Sequence, residues 1–167
     1  MTWGFLALAL VAAPCTVPPM EAAIQAGLPY ESFDTREGSY GWRSLNEAGC
    51  VDAVLALLEI YLSENETRLA EAQRLELRFH QGQSLAFAGR ESAAIAYFEK
   101  ATNAGAPPEW STYVAATLAF LKHDVSALAA ARQAYATLAS GSMRLLVIDG
   151  FIACPHESYA KAVHCKM

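Results

Sequence analysis

Four cysteines (Cys15, Cys50, Cys154, Cys165) and four histidines (His80, His123, His156, His164) are the side chains of this 167-residue chain best suited to covalent or metal chemistry. Pro155 forces a turn between Cys154 and Cys165, so two antiparallel segments would bring that pair together. In an oxidising compartment this makes them the expected disulfide, worth about 2–4 kcal/mol. Cys50 follows Gly49 and reads as a small buried hydrophobe, or as an alternative partner for one of the C-terminal cysteines. If a leader that includes Cys15 is removed, three thiols remain and their connectivity is open.

Cys154, His156, His164 and Cys165 are also the four ligand types that zinc takes. Their spacing, C-x-H and then an adjacent H-C, is not that of a finger, and no metal site is expected. His80 and His123 fall at or near expected helix ends and read as polar surface or interface residues. Glu31 and Asp34 fall in an expected loop, where solvated carboxylates are routine. The chain holds no G-x-S-x-G, H-E-x-x-H, Walker loop or dinucleotide glycine pattern. Neither an enzyme nor a cofactor is therefore expected. A cell-envelope hydrolase is the alternative, and it would need His80 or His123 to meet a carboxylate or hydroxyl in a concave pocket. A purely structural accessory subunit is a third reading.

The elements that must position these residues are helical. Apolar residues make up 54% of the chain and charged ones 17%, which excludes disorder, and alanine falls in helix-compatible runs such as Ala127–Ala131. The net charge of −5 and the acids interleaved among Arg68, Arg74 and Arg78 exclude a nucleic-acid surface. Between Leu75 and Ala101, Leu75, Phe79, Gly82 and Ala86 share one helix face, Ala94, Phe98 and Ala101 share another, and Gly89 separates the two. Small residues at Gly82 and Ala94 allow close approach, with Phe98 filling the space beside them. Trp42–Leu62 and Trp110–Leu138 carry the same texture, with Gly49 and Asp124 marking turns.

Self-similarity follows at an offset of 33. Leu85-Ala86-Phe87 matches Leu118-Ala119-Phe120, Glu91 matches Asp124, and Ala94-Ile95-Ala96 matches Ala127-Leu128-Ala129. A looser echo pairs Ala48-Gly49 with Ala88-Gly89. The fold class is all-α: a short α-solenoid of about three helical hairpins with a C-terminal capping segment.

Gly82, Gly89, Ala94, Phe98 and Ala101 give Phe79–Ala101 a pattern that resembles the tetratricopeptide repeat family. Arg78 and Gln81 stand where that family prefers an aromatic residue and a leucine. The resemblance implies a helical solenoid whose inner groove binds protein or peptide, and it implies no catalysis. Tyr97, Trp110 and Tyr113 are the candidate groove anchors.

At the C-terminus, LLVI and Asp149-Gly150 have strand and hairpin composition. With no sheet to join, a helix from about Met143 to Cys154 and a short one through Tyr159, Ala162 and Val163 are expected. At the N-terminus, residues 1–20 carry no charged side chain, and Trp3–Ala13 has the length of a signal-peptide h-region, too short to span a bilayer. The organisation read from the chain is a signal peptide over 1–15, a linker or short helix over 16–40 and the repeat domain over 41–167. An exported, periplasmic or secreted protein is expected, with a protein or peptide partner, no nucleic acid and no stable membrane span. Asn65-Glu66-Thr67 matches a glycosylation sequon.

Overall fold

The computed structural model describes residues 15–167, so the apolar run Trp3–Ala13 and the leader expected there lie outside the described residues. Among the described residues all regular structure is helical. Three hairpins follow one another: α3 (Trp42–Glu47) with α4 (Val51–Glu64), α5 (Glu71–Phe87) with α6 (Glu91–Lys100), and α7 (Pro108–Leu121) with α8 (Val125–Leu138). α1 (Pro19–Ala26) and α2 (Tyr30–Asp34) precede them, and α9 (Met143–Ala153) and α10 (Tyr159–Ala162) cap the far end. Each hairpin packs on the next through α4 on α5, α6 on α7 and α8 on α9. This is an all-α solenoid, with LLVI inside α9 as a helix. None of the helices among the described residues is long and apolar enough to cross a membrane.

All three hairpin turns have one geometry. Gly49, Gly89 and His123 take positive φ (76°, 74° and 55°). The N–H of the next residue then returns to a carbonyl five back: Cys50 to Leu45 (2.8 Å), Arg90 to Leu85 (2.9 Å) and Asp124 to Ala119 (2.8 Å). Satisfying an orphan helix-end carbonyl in this way is the physics of a left-handed cap. These bonds fix the repeat register. Leu85 corresponds to Ala119 and Arg90 to Asp124, an offset of 34 rather than 33. Buried positions agree with this, since Ala94 then matches Leu128 and Ala101 matches Tyr135. The one-residue error arises because the third turn uses a histidine where the first two use glycine, so residue identity points to the wrong partner.

α5 is the central element. Leu77 packs into an N-terminal core with Phe33, Trp42, Leu45, Val54, Leu58 and Tyr61. Phe79, Leu85 and Ala86 pack into the larger core with Phe98, Tyr113, Phe120, Phe151 and Tyr159. The two departures from the repeat pattern are explained at the α4–α5 seam. Arg78 pairs with Glu59, and Gln81, fully buried, accepts from Arg78 Nη1 (3.0 Å) and donates to Glu59 Oε2 (3.3 Å). A polar triad thus bridges α4 and α5. Arg78 holds the Glu59 carboxyl below its ordinary range.

Residues 16–40 hold two short helices, α1 and α2. α2 forms where a loop is expected, because Phe33 is fully buried and stacks on Tyr61 with ring centroids 3.6 Å apart, while Tyr61 O–H donates to the Leu28 carbonyl (2.9 Å). The Asn65 amide is buried and donates to the carbonyls of Ala26 and Tyr61, both at 2.9 Å, so the sequon is closed inside the fold.

Two disulfides are present and leave no cysteine free among the described residues. Cys154 bonds Cys165 across a Cα–Cα distance of 6.5 Å, reached because α10 is only four residues long and the chain folds back after Pro155. Cys50 is buried as expected, and it is bonded to Cys15 rather than to a C-terminal cysteine. The bond ties Cys15 to the start of α4.

Candidate functional site

The first turns of α5, α7 and α9 lie side by side and leave a cleft of about 180 Å³ between them, lined by Ala72, Leu75, Glu76, Pro107, Glu109, Trp110 and Arg144. Local sequence builds each wall. Pro108 is held at the first position of α7, where its missing N–H costs nothing, and this sets Trp110 on the first turn. Trp110 Nε1–H donates to the Ala101 carbonyl (2.6 Å), which fixes its plane. Ser142 caps α9, its hydroxyl accepting from the Arg144 N–H (3.2 Å), and so places Arg144 in the first turn.

The Arg144 guanidinium lies over both Trp110 (5.0 Å to the ring centroid) and Tyr113 (5.5 Å). Among the described residues it has no carboxylate in ion-pair range, and neither does Arg68, whereas Arg36, Arg43, Arg74, Arg78, Arg90 and Arg132 each have one. Glu76, on the opposite wall, accepts from the Tyr30 hydroxyl (2.8 Å). Burial, and after it that bond, push the Tyr30 phenol above its ordinary range. The volume admits one or two side chains and is well below that of a metabolite pocket. It has an aromatic floor, on which the Arg144 guanidinium is stacked.

Of the three candidate anchors, only Trp110 lines this cleft. Tyr113 is buried beneath Arg144, and burial pushes its phenol up to about 12. It supports the floor and offers no free ring. Tyr97 is on α6, half-buried, with the Lys100 ammonium 5.7 Å from its ring centroid. Arg144 and Glu76 were missed. Arg144 sits in a stretch whose composition suggests a strand, and Glu76 reads as one more solvated acid on a charged helix.

A second polar cluster, half-buried, brings together α2, α3 and α5. His80 is mid-helix in α5 and not near an end. Its Nε2 lies 3.6 Å from Asp34 Oδ1, its Nδ1 lies 3.2 Å from Gln83 Oε1, and its ring meets that of Trp42 with centroids 4.7 Å apart. Asp34 in turn accepts from Arg43 Nη2 (2.8 Å). Asp34 Oδ1 and His80 Nε2 are closed to solvent and neither makes a hydrogen bond. A general base must come within about 3 Å of a substrate proton. This histidine faces only a carboxylate of its own chain.

The remaining sequence candidates are dispersed. His123 is exposed in its turn, Glu31 is exposed on α2, and His156 and His164 are exposed while Cys154 and Cys165 are consumed in their disulfide. No group of three metal-ligating side chains occurs among the described residues. A shallower and more apolar hollow of about 630 Å³ lies between α1 and α4, lined by Val17, Ala22, Ala23, Ala26 and Ile60 among others. No protein-family model, curated protein or solved structure matches this chain.

Proposed function

We propose that this chain is an exported, tetratricopeptide-like helical-repeat protein of the cell envelope or the secreted fraction, and that it holds a protein or peptide segment in the cleft between α5, α7 and α9. The observation that carries the reading is Arg144, a cation stacked on Trp110 and Tyr113 with no carboxylate partner of its own among the described residues. A guanidinium fixed in this way loses little freedom on meeting a carboxylate or an aromatic side chain, and such fixed Arg and Trp residues dominate binding energy where they occur. The 34-residue register and the Gly82–Phe98 packing support the family resemblance. Two disulfides and the uncharged apolar N-terminus support export.

A displayed random-peptide library panned on the full chain tests the reading. Peptides enriched on the wild-type protein should carry an acidic or aromatic residue, and Arg144→Ala or Trp110→Ala should weaken them by about tenfold or more, the scale of one interface anchor. Failure to enrich any peptide, or enriched peptides indifferent to both substitutions, would remove the cleft as the site. The hydrolase alternative loses ground because, among the described residues, the one histidine that meets a carboxylate has its facing Nε2 closed to solvent.

A further inference from the structure

The hollow between α1 and α4 continues into a second one of about 360 Å³, and the two share Val17, Ala22 and Ile60 as lining. Together they form one trough. Its walls are low because α4 turns its large side chains to the core: Leu57, Leu58 and Tyr61 are buried while Ala56 faces out. On α1, Ala22 and Ala26 are buried and Met20 and Ile24, one turn apart, stand out. Met20 is 77% exposed, Ile24 51% and Ile60 40%, and among the described residues no other large hydrophobic side chain before Phe87 is exposed. Three such side chains on the two helices that frame one trough make a patch, not scattered singles.

Charge decides what this patch is suited to meet. Glu64, one turn after Ile60, and Arg68, in the turn that follows α4, both line the larger hollow and are both exposed. Among the described residues neither lies in ion-pair range of an opposite charge. An anionic amphiphile drawn to Arg68 would be repelled by Glu64, so one cation and one anion at the same hollow do not favour it. A surface carrying an equal and opposite pair is instead complementary to a copy of itself. A two-fold axis between Glu64 and Arg68 sets the glutamate of each copy against the arginine of the other, and does so twice.

We propose that the α1–α4 trough is the contact surface of a homodimer, closed by reciprocal Glu64–Arg68 pairs around Met20, Ile24 and Ile60. In such an isologous contact one patch serves both copies, so projecting side chains and the space that takes them must lie side by side on each. They do here: Met20 and Ile24 project from the same helix whose Ala22, Ala23 and Ala26 leave the hollow. Covering the apolar side chains supplies the attraction, and the two charge pairs fix the register. With only three large apolar side chains per copy and no aromatic anchor, the dimer is a weak one, with a dissociation constant of about 1–100 µM. The trough shares no lining residue with the α5–α7–α9 cleft, so the dimer stands or falls independently of the peptide reading.

Sedimentation equilibrium of the full chain with both disulfides intact, over about 1–300 µM, tests this. The wild-type chain should pass from monomer to dimer within that range. Arg68→Glu and Glu64→Arg each set two like-charged pairs across the axis and should each weaken association by about tenfold or more. An equimolar mixture of the two variants should restore it, because copies with two acids at these positions then face copies with two bases. Adding Ile60→Asp to both should abolish that rescue, which charge attraction alone would not require. Should Ile60→Asp lose helical circular dichroism, Ile24→Asp on exposed α1 takes its place. A wild-type chain that stays monomeric, single charge variants that associate as wild type does, a mixture that pairs no better than its components, or a rescue untouched by the apolar substitution would each overturn the proposal. A monomer that instead binds vesicles of anionic lipid would overturn it in favour of a lipid surface.

Discussion

The ring of Phe98 occupies the space that a side chain at Gly82 would need: a Cβ placed on Gly82 would lie 2.9 Å from Phe98 Cδ1 and Cε1. Phe98 is fully buried and Gly82 is buried, so α5 and α6 approach as closely as they do because one of them has no side chain there. Gly82→Ala tests the point directly. The substitution gains about 1 kcal/mol of helix propensity, while overpacking a filled core costs about 1–3 kcal/mol. A net loss of up to about 2 kcal/mol is expected, lowering the melting temperature by a few degrees for a chain of this size. Combining Gly82→Ala with Phe98→Leu should cost less than the sum of the two, since the second change removes the clash that the first creates. Simple additivity would show that the two positions do not share the space.

The third hairpin turn carries the opposite opportunity. His123 holds φ at 55° and is exposed, so its side chain contributes nothing that glycine would lose. A left-handed residue with a Cβ costs about 1–2 kcal/mol, and glycine returns roughly 0.5–1 kcal/mol of that as unfolded-state entropy. His123→Gly should therefore stabilise by about 0.5–1 kcal/mol, read as a higher urea midpoint at unchanged slope. Gly89→Ala should move the midpoint the other way. A His123→Gly variant no more stable than wild type would mean that the strain is relieved elsewhere in the turn.

The hairpins were legible because helical periodicity is a local property, written within a dozen residues by Phe79, Gly82 and Ala86 or by Ala94, Phe98 and Ala101. Gly49 and Gly89 were legible as stops for the same reason. What sequence did not show was whatever depends on distant segments meeting. Asp34 and His80 are neighbours only because Phe33 stacks on Tyr61 and draws α2 against the solenoid. Arg144 finds Trp110 only across the α7–α9 seam. Charge and polarity on one helix face cannot say which partner, or none, will stand opposite.

Asn65 gives a prediction about a motif that folding cancels. Its amide bridges the carbonyls of Ala26 and Tyr61, tying the end of α1 to the end of α4. Asn65→Ala leaves the Ala26 carbonyl without this donor, a loss of about 1–3 kcal/mol by chemical denaturation. Asn65→Asp should be worse, because it sets a carboxylate against two carbonyl oxygens. Folded protein should show no glycan at this residue by mass spectrometry. A glycosylated and still native chain would place the amide outside the fold.

The pairing of Cys15 with Cys50 constrains where any leader can end. Cys50 precedes α4 and is buried, while Cys15 precedes α1, so the bond ties the start of the first helix to the start of the fourth. The sequence separation is 35 residues, for which loop-closure entropy gives about 3–4 kcal/mol. A cut after Cys15 would forfeit this and leave Cys50 as a buried free thiol, so processing is expected to keep Cys15. Intact mass of the exported chain should show a terminus at or before Cys15, with four sulfurs oxidised in two bonds. Non-reducing peptide mapping should link Cys15 to Cys50 and Cys154 to Cys165. Cys15→Ser with Cys50→Ser should unfold at a lower temperature than the Cys154→Ser, Cys165→Ser pair, because the 11-residue separation of the latter restrains less of the unfolded chain. A mapped bond from Cys50 to either C-terminal cysteine, or a mature chain lacking Cys15, would show that the N-terminal layer is held by packing alone.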